Sequence, residues 1–356
     1  MNMPAVLATI KTLAIGAAGG ALFSLFGIPM AWMLGALAAC MLATQFIENV
    51  YVPSIFREIL QPVLGVLLGS FFTSSLLNEL SRWPMVLVFL VAYVFVASLF
   101  GVFYFRRIAG YNLPTAFFSA VPGGLSDLTV VGESLGANIV LLGLTHSIRV
   151  LMVVVLTPLI VAYFASGPAL EVTAARPDMI GLGDAGILIL CGVVGYALGR
   201  LTRMPAGATL GPLLVSAAAH LADLTAGSPP PTAIFVVQVV LGAYIGARFV
   251  DLQWHEFRSA LVHGIIWSSG LIAIATLAAI LCAWETGFGL PQLLLAFAPG
   301  GIAEMGLLTL ALGIDVALVT TCHAARIIMI YLVIPIAARG VRKTSGKIKD
   351  TGFTDD

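Results

Sequence analysis

Residues 113–160 and 290–337 align without a gap at an offset of 177, and both copies carry ionisable residues inside strongly apolar sequence. Pro122, Gly123, Gly124, His146, Arg149 and Pro158 recur as Pro299, Gly300, Gly301, His323, Arg326 and Pro335. With Leu113, Pro114, Leu135, Gly136, Leu141 and Met152 the copies share 12 identities in 48 positions, and Asp127 corresponds to Glu304. The relation reaches upstream: Gln61, Gly65 and Gly69 match Gln238, Gly242 and Gly246 at 177, while Pro29 and Gly35 match Pro205 and Gly211 at 176. One single-residue indel accounts for the whole register. Any fold for this chain therefore has to bury, and find partners for, the same charges twice.

The surroundings of those charges are those of a membrane protein. Apolar residues make up 60%, charged residues 10%, and the mean hydropathy is +1.06, where a soluble domain has about a quarter of its residues charged. A spanning helix needs about 20 apolar residues, so the chain has room for roughly ten to twelve membrane elements and none for a soluble domain. Lys plus Arg and Asp plus Glu stand at 17 each; without a basic excess or a long loop, nucleic acid is not an expected partner. Cys40, Cys191, Cys282 and Cys322 lie singly in apolar stretches, with neither a CxxC pair nor metal-ligand spacing, and read as small buried residues. Neither a cofactor nor a metal is expected. Lys11 alone precedes the first apolar run, which reads as a retained helix rather than a cleaved signal.

Apolar runs punctuated by Gly, Pro and charge predict an all-α polytopic protein with helices near 4–26, 30–47, 58–77, 84–105, 112–133 and 138–164. In the second half the expected helices are 183–201, 206–224, 232–250, 260–284, 290–312 and 314–338. The domain reading is repeat 1 over 1–165, a linker over 166–181, repeat 2 over 182–338 and a cytoplasmic tail over 339–356. Positive charge collects on cytoplasmic membrane ends, so Arg339, Arg342, Lys343, Lys347 and Lys349 place the C-terminus inside. If every segment crosses, five cations fall outside and ten inside. If the Pro-Gly-Gly segments are re-entrant, only Arg82 and Arg176 fall outside, with thirteen inside. The second count favours two inverted repeats, each of about five spanning helices plus one broken or re-entrant segment.

A proline and two glycines favour an unwound backbone, which lipid cannot hydrate, so the break belongs inside protein or against a polar cavity. Leu125-Ser126-Asp127 and Ile302-Ala303-Glu304 follow, setting each acid near the start of a half-helix, where free N–H groups suit an anion or the acid itself. His146 and Arg149, like His323 and Arg326, share one helix face at a spacing of three. A helix starting near Ile139 carries Arg149 about 15 Å along its axis, close to the bilayer midplane. An arginine there needs a partner, and Asp127 and Glu304 are the available ones. Two readings stay open: buried ion pairs that lock the broken segment, or a site whose carboxylates and imidazoles carry protons or contact a substrate. The candidate site thus comprises Pro122, Gly123, Gly124, Ser126, Asp127, His146 and Arg149, with Pro299, Gly300, Gly301, Glu304, His323 and Arg326. Gln61 and Gln238 are candidate polar lining, while Asn138 and Asp315 read as helix N-caps. No hydrolase, zincin or nucleotide-binding motif is present.

The paired Ala-Val-Pro-Gly-Gly-Leu-Ser-Asp and Ala-Pro-Gly-Gly-Ile-Ala-Glu-Met segments, each followed by His-x-x-Arg, resemble the AbrB family of bacterial membrane proteins with an internal duplication. The resemblance covers almost the whole chain; it is not to the small DNA-binding regulator of the same name. It implies a multi-pass inner-membrane protein described both as a regulator of gene expression and as an ammonia monooxygenase. The oxygenase label gains nothing from these residues, since no cluster suited to copper or iron is visible, and no enzyme activity is expected. The leading expectation is a proton- or sodium-coupled secondary transporter of a small solute or ion, working in the lipid bilayer through a midplane site. Homo-oligomers are compatible with it. The alternative is a membrane-embedded regulator acting through a partner.

Overall fold

The computed structural model describes residues 3–26, 30–73, 81–122, 132–133, 135–164, 181–249 and 254–350. The described residues form thirteen α-helices and no strand. Those of the first half are α1 (Met3–Ser24), α2 (Ala31–Phe46), α3 (Ser54–Gly69), α4 (Trp83–Arg107), α5 (Leu113–Ala120) and α6 (Ile139–Phe164). In the second half lie α7 (Leu182–Leu201), α8 (Gly207–Leu221), α9 (Pro231–Gly246), α10 (Trp254–Thr286), α11 (Leu290–Phe297), α12 (Ile302–Ala311) and α13 (Val316–Asp350). A 3₁₀ turn, Ala247–Phe249, follows α9. Six helices contain stretches long and apolar enough to cross a membrane: 5–24, 83–107, 139–164, 183–201, 260–286 and 316–333. Many large apolar side chains on them face outward, among them Phe95, Leu99, Leu190 and Trp284, as lipid-facing surfaces require. The chain is a multi-pass membrane protein.

The short helices depart from the sequence expectation. The segment expected at 58–77 is a helix over 54–69: it starts directly after Pro53, whose fixed φ suits the N-cap, and so takes Arg57 into its first turn. The segments expected at 30–47, 206–224 and 232–250 likewise form helices of 15 or 16 residues, about 24 Å long at 1.5 Å per residue. The segment at 290–312 is interrupted at Pro299-Gly300-Gly301, as expected, and α5 ends at Ala120, two residues before Pro122. α5 and α11 are 8 residues each, and α12 begins only after Ala298-Pro299-Gly300-Gly301.

Glycine sets how the short helices pack. A methyl group placed on Gly69 of α3 would lie 2.5 Å from Leu213 O of α8, and one on Gly246 of α9 would lie 2.5 Å from Leu37 O of α2. One turn earlier, Gly65 abuts Thr209 O and Gly242 abuts Met33 O. Such backbone approach is what small residues four apart permit, and it supplies the close contact that association within lipid relies on. In both pairs residue numbers rise together, so α3 runs parallel to α8 and α9 parallel to α2. By contrast, Arg57 in the first turn of α3 sits over the ring of Tyr244 in the last turn of α9. α3 and α9, the helices that carry Gln61 and Gln238, therefore run antiparallel. Each half contributes one helix to the other's pairing, which holds the centre of the molecule together. The four cysteines are all free and buried.

Candidate functional site

α5 and α6 are joined by polar contacts that rise in step. Asn112 caps α5 through Thr115 N at 2.9 Å and donates to Gly136 O at 3.0 Å, while Thr115 Oγ1 accepts from Asn138 N at 2.8 Å. Further along, His146 Nε2 meets Phe118 O at 2.9 Å and Arg149 Nη1 donates to Val121 O at 3.2 Å. The second half repeats the pattern. Gln292 Nε2 donates to Asp315 Oδ2 at 2.8 Å, His323 Nε2 meets Leu295 O at 3.0 Å, and Arg326 Nη1 donates to Ala298 O at 2.6 Å. The carbonyls Phe118 and Leu295, and Val121 and Ala298, are themselves 177 apart. The start of each short helix thus lies beside the start of the long helix that follows, and its far end reaches the level of the arginine. Asn138 and Asp315 cap those long helices, accepting from Val140 N and Leu141 N, and from Ala317 N, directly after Gly136 and Gly313 at positive φ.

A carbonyl oxygen can only accept, so both imidazoles must carry their proton on Nε2, leaving Nδ1 as a lone pair. His323 Nδ1 accepts from Arg326 Nη2 at 2.8 Å. His146 Nδ1 is buried without a hydrogen-bond partner among the described residues. The matched histidines therefore share their backbone bond and differ in what the second nitrogen does.

The sequence reading that pairs the arginines with the acids needs correction for Arg326. Its guanidinium is 2% exposed and bonds to the carbonyls of Ala298 and Gly300 and to His323, while Nε has no partner among the described residues. The carboxylate of Glu304 is not among its hydrogen-bond partners. The break at Pro299-Gly300-Gly301 frees carbonyls that would otherwise bond within a helix, and these free carbonyls are what the arginine fork fits. Glu304 sits in the first turn of α12, half-buried, where the helix dipole favours its charge. Gly123, Gly124, Ser126 and Asp127 lie outside the described residues.

Two adjoining cavities meet at Glu304. The inner one, about 110 Å³, is lined by Pro122, His146, Arg149, Gly300, Gly301, Glu304 and Arg326 together with Arg57, Tyr244 and Arg248. The outer one, about 340 Å³, shares Arg57, Tyr244, Gly301 and Glu304 and adds Glu58 and Gln61. Most of the described candidates therefore line one polar space. His323 and Pro299 support it from behind, and Gln238 is buried without lining either cavity. Sequence reasoning missed Arg57, Tyr244 and Arg248. The two guanidinium groups lie 5.7 and 5.5 Å from the centre of the Tyr244 ring, a distance at which cation–π attraction operates. A larger groove of about 680 Å³ between α3, α7 and α9 is almost wholly apolar and faces outward. It holds none of these groups. Among the described residues, no three His, Cys, Asp or Glu side chains converge as metal ligands.

With this geometry in view, the comparison with known families is direct: the family model AbrB, described as transition state regulatory protein AbrB, matches residues 32–342. The chain belongs to the AbrB family. It is similar to the Bacillus subtilis (strain 168) protein YhjN, described as uncharacterized, with 31% identity over 362 residues, covering 95% of this chain and 94% of that protein. It is also similar to the Escherichia coli (strain K12) protein named "Putative regulator AbrB", with 25% identity over 327 residues, covering 88% and 90% of the two chains.

Proposed function

We propose that this AbrB-family protein is a secondary transporter that moves a small solute or ion, coupled to protons or sodium, through the cavity at Glu304. The observation that carries the reading is that two broken segments, each held by a His-x-x-Arg helix, converge on one polar space inside an apolar bundle. Broken helices around a midplane site are how carriers bind solute without exposing unpaired backbone to lipid.

The halves are read as inverted repeats of about five spans each, with boundaries near 1–165 and 182–338. Two sets of contacts support that reading. The bonds Asn112–Gly136 and Gln292–Asp315 hold the two ends of each broken segment at one level, as a re-entrant segment requires. The antiparallel run of α3 and α9, matched helices of the two halves, is what an axis in the membrane plane produces. The C-terminal tail is assigned to the cytoplasm and the protein to the bacterial inner membrane, on the cation distribution. Single cysteines near Glu171 and near Lys343, in a cysteine-free background, should label from opposite faces; labelling from the same face rejects inversion.

The carboxylates Asp127 and Glu304 are assigned to substrate or coupling-ion contact, the arginines to fixed charge, and no catalytic step is assigned to the site. Purified protein in proteoliposomes should take up its solute in response to a pH or sodium gradient. Asp127→Asn and Glu304→Gln should each abolish that uptake; retention in both variants rejects the site. The name of the Escherichia coli relative favours a second reading, regulation through a partner protein. In that case deletion of residues 339–356, the segment available for docking, would remove the regulatory effect and leave uptake at background in every assay.

A further inference from the structure

We infer that the cavity at Glu304 is an anion site, and that its ligand is a small organic acid whose acidic group enters between Arg149 and Arg326. The inference deepens the transport reading by naming a substrate class and rests on that reading only for the ligand being carried rather than merely bound.

Arg57, Arg149, Arg248 and Arg326 come from four separate elements, and all line the inner cavity, where Glu304 is the one acid among the described lining residues. With Glu58 of the outer cavity added, the described lining holds four guanidinium groups against two carboxylates. Arg326 decides what this excess means. It is buried at 2% exposure, and its bonds run to two neutral carbonyls and an imidazole, so no described carboxylate lies within hydrogen-bonding distance of it. Its Nε points a further donor that no described residue accepts. A buried cation in a low-dielectric setting demands a counter-charge, and a carboxylate or phosphate oxygen matches a guanidinium edge.

Duplication gives a second, independent reason. At the positions matching Arg57 and Arg248 the other half has Ile234 and Phe71, and Leu67 matches Tyr244. Each arginine thus has an apolar counterpart in the opposite half, so a cation at that position is not needed for packing. Both lie over the Tyr244 ring at the inner cavity, and Arg57 lines the outer cavity as well. The volumes set the size. About 110 Å³ admits one acidic group beside the buried arginines, and the adjoining 340 Å³ admits the remainder of a small molecule. An ammonium or other small cation would sit among four like charges.

The test is ligand-induced stabilisation of the full chain in nanodiscs at constant ionic strength. The probes are sodium acetate, succinate, benzoate, phosphate and sulfate on one side, and ammonium and choline chlorides on the other. At least one carboxylate should raise the unfolding temperature saturably, with ammonium and choline inert. Arg57→Gln and Arg248→Gln should each weaken that carboxylate by at least tenfold, whereas Arg200→Gln, an exposed arginine beside Tyr196, should leave it unchanged. Stabilisation by the cations alone, by none of the anions, or by a carboxylate equally well in both arginine variants overturns the inference. Saturable carboxylate binding without uptake of that acid into proteoliposomes would overturn the transport reading instead and leave the anion site standing.

Discussion

Replacing Arg326 by lysine keeps the charge and most of the length, so it isolates what the guanidinium fork does. In the native protein Nη1 bonds to Ala298 O, and Nη2 bonds to both Gly300 O and His323 Nδ1. A single ammonium can hold one of the two carbonyls and cannot span both. The variant therefore loses one charge-assisted bond to a buried backbone acceptor, about 1.5–3 kcal/mol, and the weaker contact to His323, about 1 kcal/mol. No relief of buried charge offsets this, because the charge remains. The expected cost is about 2–4 kcal/mol, which at about 2 °C per kcal/mol for a large chain lowers the unfolding temperature by roughly 5 °C. Intrinsic fluorescence of purified protein in nanodiscs during heating measures it, with Arg200→Lys as an exposed control expected to shift by under about 1 °C. Uptake in the same preparation should fall at least tenfold, since the break at Pro299-Gly300-Gly301 loses its fixed position beside Glu304. An Arg326→Lys protein that melts with the wild type and transports normally would refute the fork as the element that holds the broken segment.

The glycine contacts make a symmetric prediction: Gly65→Ala and Gly242→Ala, whose new methyl groups would meet backbone oxygen, should each destabilise by about 1–3 kcal/mol. Gly143→Ala and Gly270→Ala, where nothing lies within 4 Å, should gain about 0.5–1 kcal/mol from helix propensity, and the same heating assay checks all four. Asp315→Ala removes the cap at Ala317 N and the partner of Gln292; a loss of about 1–2 kcal/mol is expected. Asp315→Asn, which keeps the cap through Oδ1 and meets Gln292 only when that amide turns its oxygen toward Nδ2, should recover the capping part of the loss in urea or thermal unfolding.

Much of this arrangement was legible because membrane helices announce themselves by length and hydropathy. The long helices 83–107, 139–164 and 182–201 fall within two residues of their expected bounds, and the break at Pro299-Gly300-Gly301 separates two helices where proline and paired glycine predict. The short helices were harder. α3 was expected over 58–77, yet Pro53 starts the helix a turn earlier and brings Arg57 into it, and the helix ends at Gly69. The partner of Arg326 was misread for a related reason. In sequence the nearest available counter-charge is Glu304, whereas the carbonyls released by the break at Ala298 and Gly300 become visible as acceptors only once the backbone path is known. Arg57 and Tyr244 lie far apart in the chain and match nothing in the other half, so attention to repeated residues passed over them. Their signal was the reverse one, a charge in one half where its counterpart is apolar.

On the transport reading proposed above, that contrast separates two kinds of residue. Residues present in both copies, such as His146 and His323 with their bonds to Phe118 and Leu295, build two equivalent arms, and equivalent arms are what allow one site to open to either side at similar cost. A site made only of such pairs would treat its two openings alike. Arg57 of the first half and Tyr244 and Arg248 of the second line the inner cavity together, Arg57 and Tyr244 line the outer one as well, and their counterparts Ile234, Leu67 and Phe71 are apolar. In a carrier they would give one opening a charge the other lacks. Converting each arginine to its counterpart in the opposite half, by Arg57→Ile with Arg248→Phe, should therefore spare the fold while narrowing any difference in apparent affinity between uptake and efflux measured in oriented vesicles. An unchanged difference would mean that the asymmetry resides in the broken segments themselves, where Asp127 replaces the longer Glu304.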